Sequence, residues 1–432
     1  MTVRDRIDSL LEPFQRFGVQ LGLERIKKLL AHLDNPQDRV PIIHVAGSNG
    51  KGSVCAYLSS ILTEAGYCVG RYTSPHLIDW TERICLNEQP IPEGDLSTIL
   101  EDIQSAIATY PSDTESPTQF EVITAAAWLY FARSQVDVAV MEVGLGGRLD
   151  ATNVKDSSIA SIITSLSLEH WQRLGPTVAD IAGEKAGVIK PGCPVIVGQL
   201  PTSAMEVVKA KAKEANAPLT IIEPATEIKI ADSSETTWAK YQNLEYPLPL
   251  LGDVQLSNSA IAIATIKILQ QQGWGIAELV IQTGINKTRW RGRLQWTTWK
   301  DRPLLVDGAH NPAAAIALRQ YVNKLDKSPT WVMGMLSTKD HEDIFKTLLK
   351  PGDELHLIPV PDHSTAKPEE LAQLAIQVCP RLASCQTHTD VFTALDSAIE
   401  SSSNFEPERL AILCGSLYLI GHVFQRATMQ FS

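Results

Sequence analysis

The segment Ile42-Ile-His-Val-Ala-Gly47-Ser-Asn-Gly-Lys51-Gly-Ser53 constrains this chain more than any other. A short apolar, β-branched run stops at a glycine-rich turn, and the turn opens a helical pattern from Lys51 to Ala65. A buried strand that returns through a helix belongs to a parallel sheet covered on both faces. Glycines let successive backbone N–H groups converge on an anion, the helix N-terminus adds partial positive charge, and Lys51 adds a full one. The pattern points to a nucleoside triphosphate held by Asn49, Gly50, Lys51 and Gly52. It departs from GxxxxGK[ST] in its shortened loop and in Gly52, which stands where a metal-binding hydroxyl normally follows the lysine. That hydroxyl has to come from elsewhere. No GTPase-type Asp-x-x-Gly follows the second strand, which argues against a molecular switch.

Strand-like runs at Val136 to Glu142, Ile159 to Thr164 and Val195 to Val197 alternate with helical patterns at Phe120 to Ser134 and Val178 to Gly187. This is the βαβ signature. The alternation from Thr226 to Tyr246, ending in Pro247 and Pro249, predicts a small β-ribbon. A second βα series starts at Pro303 to Val306 and continues through Trp331 to Leu336, Glu354 to Val360 and Leu410 to Cys414. The predicted fold is α/β: an N-terminal P-loop-type domain with a mostly parallel sheet, helices and a β-ribbon over 1–286, a linker over 287–300, and a smaller Rossmann-like α/β domain over 301–432.

Charge narrows the partners. Lys plus Arg number 38 against 49 Asp plus Glu, a formal charge of -11, and no basic run could track a phosphate backbone, so nucleic acid is not an expected partner. Anionic ligands then require local cations that overcome the mean field. The seven cysteines, an odd number with no CxxC spacing, fit reduced thiols. The N-terminus leads into no apolar signal region, and no stretch reaches the ~18 apolar residues of a membrane span. The chain is read as a cytoplasmic monomer with no membrane contact.

Further blocks follow the phosphate loop: Ser74-Pro-His-Leu77 with Glu82-Arg-Ile84, Glu142-Val-Gly-Leu-Gly-Gly-Arg-Leu-Asp-Ala-Thr-Asn153, Glu184-Lys-Ala-Gly187, Trp290-Arg-Gly-Arg293, Asp307-Gly-Ala-His-Asn311 and Gly415-Ser416-Leu417. In order and spacing they resemble the folylpolyglutamate synthase and dihydrofolate synthase family of the Mur ligase superfamily, over roughly residues 20 to 425. The resemblance implies ATP-dependent joining of L-glutamate to dihydropteroate or to a tetrahydrofolate-type acceptor through an acyl phosphate.

It also implies roles for residues. Ser74, Glu142 and His170 would hold Mg²⁺, as one or two ions, with a monovalent cation such as K⁺ alongside; Ser74 would replace the hydroxyl missing after Lys51. Lys185 would be carbamylated, which needs a lysine pKa lowered by burial or by neighbouring cations. Read from composition alone, Lys185 is a surface lysine paired with Glu184. The family usually has Asp where this chain has Glu169, just before His170. Asn258, Arg293 and Asp307 would bind ATP, and Lys51, Lys185 and His310 would be catalytic. Asn311 and Pro312 also read as an ordinary helix start.

Thr118, Gln119, Phe120 and Glu121, with Leu149, Asp150 and Ala151, would border the pterin, Phe120 stacking on its ring, while Ser416 and His310 would meet the incoming glutamate. Thr118 to Glu121 is also a capping box in its own right. Two rivals stay open at this point. One is a Mur-type ligase acting on a UDP-linked precursor, against which stand Lys51-Gly rather than Lys-Thr and the near-immediate start of the ATPase pattern. The other is a non-catalytic nucleotide-binding module.

Overall fold

The computed structural model describes the chain apart from residues 1, 17, 19, 112–114, 230–236, 362, 404–408 and 427–432. It divides into two compact units, Met1–Pro249 with Gln255–Arg289, and Leu250–Val254 with Trp290–Ser432.

The first unit is built on an eight-stranded sheet in the order Gln89–Pro90, Ile84–Leu86, Val69–Tyr72, Val138–Glu142, Ile42–Ala46, Ala160–Ile163, Val195–Val197, Leu219–Ile221. The strands from Val69–Tyr72 onward are parallel, and the first two close one edge antiparallel. Every residue of Ile42–Ala46 and Val138–Glu142 is buried, which is why both read as nearly continuous apolar runs rather than alternating ones, the first interrupted by His44 and the second ending in Glu142. Val122, Trp128 and Phe131 of the helix Gln119–Arg133 join Ile42, Ala139 and Met141 in one core cluster. The helix Lys51–Glu64 meets Glu278–Lys287 so closely that a Cβ on Gly284 would stand 2.5 Å from the Ile61 Cα. Ser60 Oγ donates to the Gly284 carbonyl across that contact at 2.6 Å. The predicted ribbon is a separate antiparallel sheet of Thr226–Ile228, Thr237–Tyr241 and Leu244–Leu248.

The second unit carries a six-stranded sheet in the order Gln295–Trp299, Arg302–Asp307, Leu410–Cys414, Pro329–Met333, Glu354–Leu357, Ser384–Thr387. All pairings are parallel except that of Gln295–Trp299 with Arg302–Asp307. Part of the segment 287–300 read as linker is therefore an edge strand. Its tryptophans are anchored by their polar ends, Trp296 Nε1–H to the Tyr321 hydroxyl at 3.1 Å and Trp299 Nε1–H to Asp396 at 2.9 Å. The architecture is the α/β class expected: a larger parallel-rich sheet with a small ribbon, and a smaller α/β sheet. No helix among the described residues is long and apolar enough to cross a membrane.

Two buried histidines make the fold acid-sensitive. Burial brings His44 down to about 3, and burial with the charge of His388, against Glu354, brings His356 to about 4. An unfolded imidazole titrates at about 6.5, so below that pH the unfolded chain binds more protons and stability falls as pH falls. At pH 5 each site costs about 2 kcal/mol. His356→Gln is expected to shrink the drop in Tm between pH 7 and pH 5; an unchanged drop would show that His356 does not stay neutral in the fold.

Candidate active site

Ile42–Ala46 sits at the centre of the first sheet, with Val45 opposite Glu142 and Ala46 opposite Ile163. The loops that leave these three strands share one carboxyl edge, where open α/β sheets bind their ligands. The phosphate loop is clamped to the segment after Ala160–Ile163. Ser48 N–H donates to the Ser165 carbonyl at 2.7 Å, and the hydroxyls of Thr164 and Ser165 donate to the Asn49 carbonyl at 2.6 and 2.9 Å. Gly50 has φ 88°, and a Cβ there would fall 2.4 Å from the Asn258 Oδ1. Asn258, more than two hundred positions away, is thereby brought against the loop, its side-chain amide held by Gln255 at 3.0 Å.

Two lysines converge on one loop carbonyl. Lys51 Nζ donates to Gly47 O at 2.9 Å and to Ser48 O at 3.2 Å; Lys185 Nζ donates to the same Gly47 O at 2.8 Å. Lys185 is buried, and its partner is Glu169 at 2.9 Å, while Glu184 pairs with Arg148 at 2.8 Å. The surface pairing of Lys185 with Glu184 is thus corrected, because the helix Val178–Lys185 turns Lys185 inward at its last residue. Burial lowers the Lys185 pKa and the charge of Lys51 adds to that, against the pull of Glu169. For Glu169 burial alone would raise the pKa, but Lys185, Lys51 and His170 together hold it well below the usual carboxylate range.

Glu142 is buried at the end of its strand and accepts the Ser74 backbone N–H at 3.1 Å. His170 is exposed, at φ 48° just before the short helix Trp171–Leu174, and its charge bears on Glu169. Among the described residues no three His, Cys, Asp or Glu side chains gather as a metal cluster. One carboxylate, a hydroxyl and an imidazole do not make an all-protein cage. They fit a hard cation that keeps waters and takes phosphate oxygens from its nucleotide.

The Thr118 to Glu121 block forms the capping box its pattern predicts: Thr118 Oγ1 accepts the Glu121 N–H at 3.2 Å, and Glu121 Oε2 accepts the Thr118 N–H at 2.7 Å and Arg25 Nε at 3.1 Å. Gln119 Nε2 is directed at the Leu11 carbonyl, 3.4 Å away. Phe120 lies over Gly144, where a Cβ would come within 2.4 Å of its ring, and 6.3 Å from the Tyr72 ring centroid. Asp150 is buried and accepts from Leu145 N–H at 2.8 Å and from Thr152, while Ala151 enters the core and Leu149 O accepts from Gly22 N–H at 3.3 Å.

In the second unit Asp307 pairs in register with Cys414, so the loops carrying His310 and Ser416 leave the same sheet edge. Asp307 accepts the backbone N–H groups of Leu294 and Ala309, each at 2.8 Å; burial raises its pKa against the Arg293 charge and those two donors. A Cβ on Gly308 would stand 2.6 Å from Arg293 Nη1 and 2.4 Å from Leu417 Cδ2, so Arg293 and the Ser416–Leu417 turn flank the same glycine. His310 Nδ1–H donates to Gly308 O at 2.7 Å. Asn311 caps the helix Pro312–Asn323 at the Ala314 N–H, with Pro312 at its first position.

Sequence reasoning missed Thr164, Ser165 and Arg25, and it left open whether Glu169 makes any contact. Thr164 and Ser165 carried one readable signal, hydroxyls directly after a buried parallel strand. For Arg25, 96 positions from Glu121, no local pattern exists.

The family model for the Mur ligase middle domain matches residues 45–266, and that for the dihydrofolate synthetase C-terminal domain matches residues 292–426. The chain is 35% identical to dihydrofolate synthetase of Saccharomyces cerevisiae, over 94% of this chain and 98% of that one. It is 34% identical to dihydrofolate synthase/folylpolyglutamate synthase of Escherichia coli, over 96% and 94%. The structure of Mycobacterium tuberculosis folylpolyglutamate synthase complexed with ADP superposes with a TM-score of 0.87 at 28% identity, covering 99% of each chain. The chain belongs to the dihydrofolate synthase/folylpolyglutamate synthase family of Mur ligases, which are ATP-dependent glutamate ligases.

Proposed function

We propose that this chain uses ATP to join L-glutamate to the carboxylate of a dihydropteroate- or tetrahydrofolate-type acceptor, releasing ADP and phosphate. The observation that carries the reading is the convergence of Lys51 and Lys185 on the Gly47 carbonyl, at the sheet edge that also ends in buried Glu142. An acceptor carboxylate is a weak nucleophile, so attack on the γ-phosphorus needs the phosphate charge offset and the reactants aligned. Lys51 and the N–H groups of Asn49, Gly50 and Gly52 do this for the phosphates, and Asn258, Arg293 and Asp307 serve the nucleotide. The carboxylate oxygen bonds to phosphorus as the bond to ADP breaks, giving an acyl phosphate. The glutamate amine attacks the acyl carbon, phosphate leaves, and the amine proton passes to His310 Nε2. Ser416 is assigned to the glutamate. Ser74, Glu142 and His170 would hold Mg²⁺, which would supply neutralisation of phosphate charge.

The Phe120 ring packed against Gly144 supports a pterin wall there, with Leu149, Asp150 and Ala151 assigned to the same acceptor. Thr118 and Glu121 Oε2 are committed to the cap and Gln119 Nε2 is directed at Leu11, which positions Phe120, while Glu121 Oε1 is buried with no partner. Lys185 is assigned as the carbamylated residue, because burial lowers its pKa and favours the neutral amine that reacts with CO₂. The carbamate and Glu169 would then be adjacent anions, a pair that calls for a cation such as a second Mg²⁺ or K⁺. Seven free cysteines support a reducing, cytoplasmic setting.

Phosphate release is expected to require both acceptor and glutamate, and product mass with dihydropteroate or tetrahydrofolate as acceptor identifies the substrate; ATP turnover indifferent to both would contradict a ligase. Lys51→Ala is expected to lower kcat about 10²- to 10³-fold with an unchanged circular dichroism spectrum; near-native rates would contradict the loop assignment. With ¹³C-bicarbonate, a carbamate carbon resonance is expected from the intact enzyme and not from Lys185→Ala, and its absence from both would leave Lys185 an ammonium.

A further inference from the structure

His44 lies in the middle of the central strand, fully buried, two residues before the phosphate loop and outside every role assigned above. Its Nε2 is 2.8 Å from Thr152 Oγ1. Thr152 Oγ1 is in turn 2.6 Å from Asp150 Oδ1, and the Thr152 backbone N–H reaches the same oxygen at 3.0 Å. The other oxygen, Asp150 Oδ2, takes the Leu145 N–H.

The direction of each proton follows from this chain. A carboxylate only accepts, so the Thr152 hydroxyl proton points to Asp150. The hydroxyl oxygen then faces His44 as an acceptor, so Nε2 must carry the imidazole hydrogen. The neutral ring has one hydrogen to give, and its Nδ1 is the atom with no partner. The opposite tautomer would bury a bare N–H at Nδ1 and set two lone pairs against each other at Nε2, which costs more than one unmet acceptor.

We propose that His44 is a positioning residue for the acceptor site: through Thr152 it orients Asp150 so that the carboxylate presents only acceptor lone pairs toward the pterin side of the Gly144–Asp150 turn. The ligand chemistry this selects is a flat ring with an N–H donor edge, such as an amino-pyrimidinone. His44 acts on acceptor recognition and not on the nucleotide, although it is close to the phosphate loop in sequence. The inference rests on the assignment of Asp150 to the acceptor.

The test is steady-state kinetics with each substrate varied, on His44→Leu, His44→Gln, Thr152→Val, Thr152→Ser and Asp150→Asn, with Tm recorded for each. Thr152→Val and His44→Leu are expected to raise the acceptor KM about 10-fold, the effect of one lost hydrogen bond to a charged group, with kcat and the KM for ATP within about twofold. Gln and Ser keep the donor and the hydroxyl, so His44→Gln and Thr152→Ser are expected to restore the acceptor KM. The double variant His44→Leu/Thr152→Val should be no worse than Thr152→Val alone, since both break the same chain. If Thr152→Val and His44→Leu leave the acceptor KM unchanged while Asp150→Asn raises it, the positioning role is overturned and the acceptor assignment stands. If Asp150→Asn also leaves it unchanged, the acceptor assignment itself fails. A variant that loses Tm and shifts every KM equally, unrescued by Gln or Ser, marks a purely structural role and overturns the proposal.

Discussion

In the unmodified chain the side-chain nitrogens of Lys51 and Lys185 both donate to one carbonyl oxygen, that of Gly47, and the rest of the site is arranged around that junction. Like charges this close repel strongly in a half-buried setting, although the mean field of a chain of net charge -11 favours cations and disfavours anionic ligands. Glu169 answers part of the problem from within, paired to Lys185 at 2.9 Å. In the proposed reading the triphosphate answers the rest: Lys51 and the loop N–H groups at this sheet edge would give the anion local positive charge against the mean field.

The sheet makes this gathering possible. Parallel strands place all their carboxyl ends on one side, so residues near positions 47, 142 and 164 meet without any local sequence relation. The Asn49 carbonyl is held by Thr164 and Ser165, and Gly50 is shaped so that Asn258 fits against it. The second unit repeats the logic with Asp307, whose carboxylate is spent on two backbone N–H groups and thereby sets the turn that carries His310. In both units buried carboxylates build loops, and the loops carry the exposed chemistry.

Much of this was legible. The strands Ile42–Ala46, Val195–Val197 and Leu410–Cys414 have the predicted bounds, because buried parallel strands read as nearly continuous apolar runs. Val136 to Glu142 begins two residues late, after Gln135 turns at φ 51°. Val69–Tyr72 was invisible: its Gly and Arg break the pattern, yet Arg71 is buried by pairing with Glu88 at 2.6 Å. Ser384–Thr387 is a half-exposed edge strand without apolar alternation, and Gln295–Trp299 hid in a segment that looked like a linker. At the site, single motifs predicted the loop, the capping box and the helix start at Asn311. The pairing of Lys185 with Glu169 and the chain from His44 through Thr152 to Asp150 depend on strand order, which local pattern does not encode.

In the proposed reaction the site turns the acceptor carboxylate into an acyl phosphate before the glutamate amine attacks. An acceptor labelled with ¹⁸O in both carboxylate oxygens tests it directly through the mass of the released phosphate. Transfer of one ¹⁸O into that phosphate is the predicted result, because the attacking oxygen leaves with phosphorus when the amide forms. Phosphate carrying no ¹⁸O would mean that water, and not the acceptor, takes the phosphoryl group, and the account would be wrong at its core.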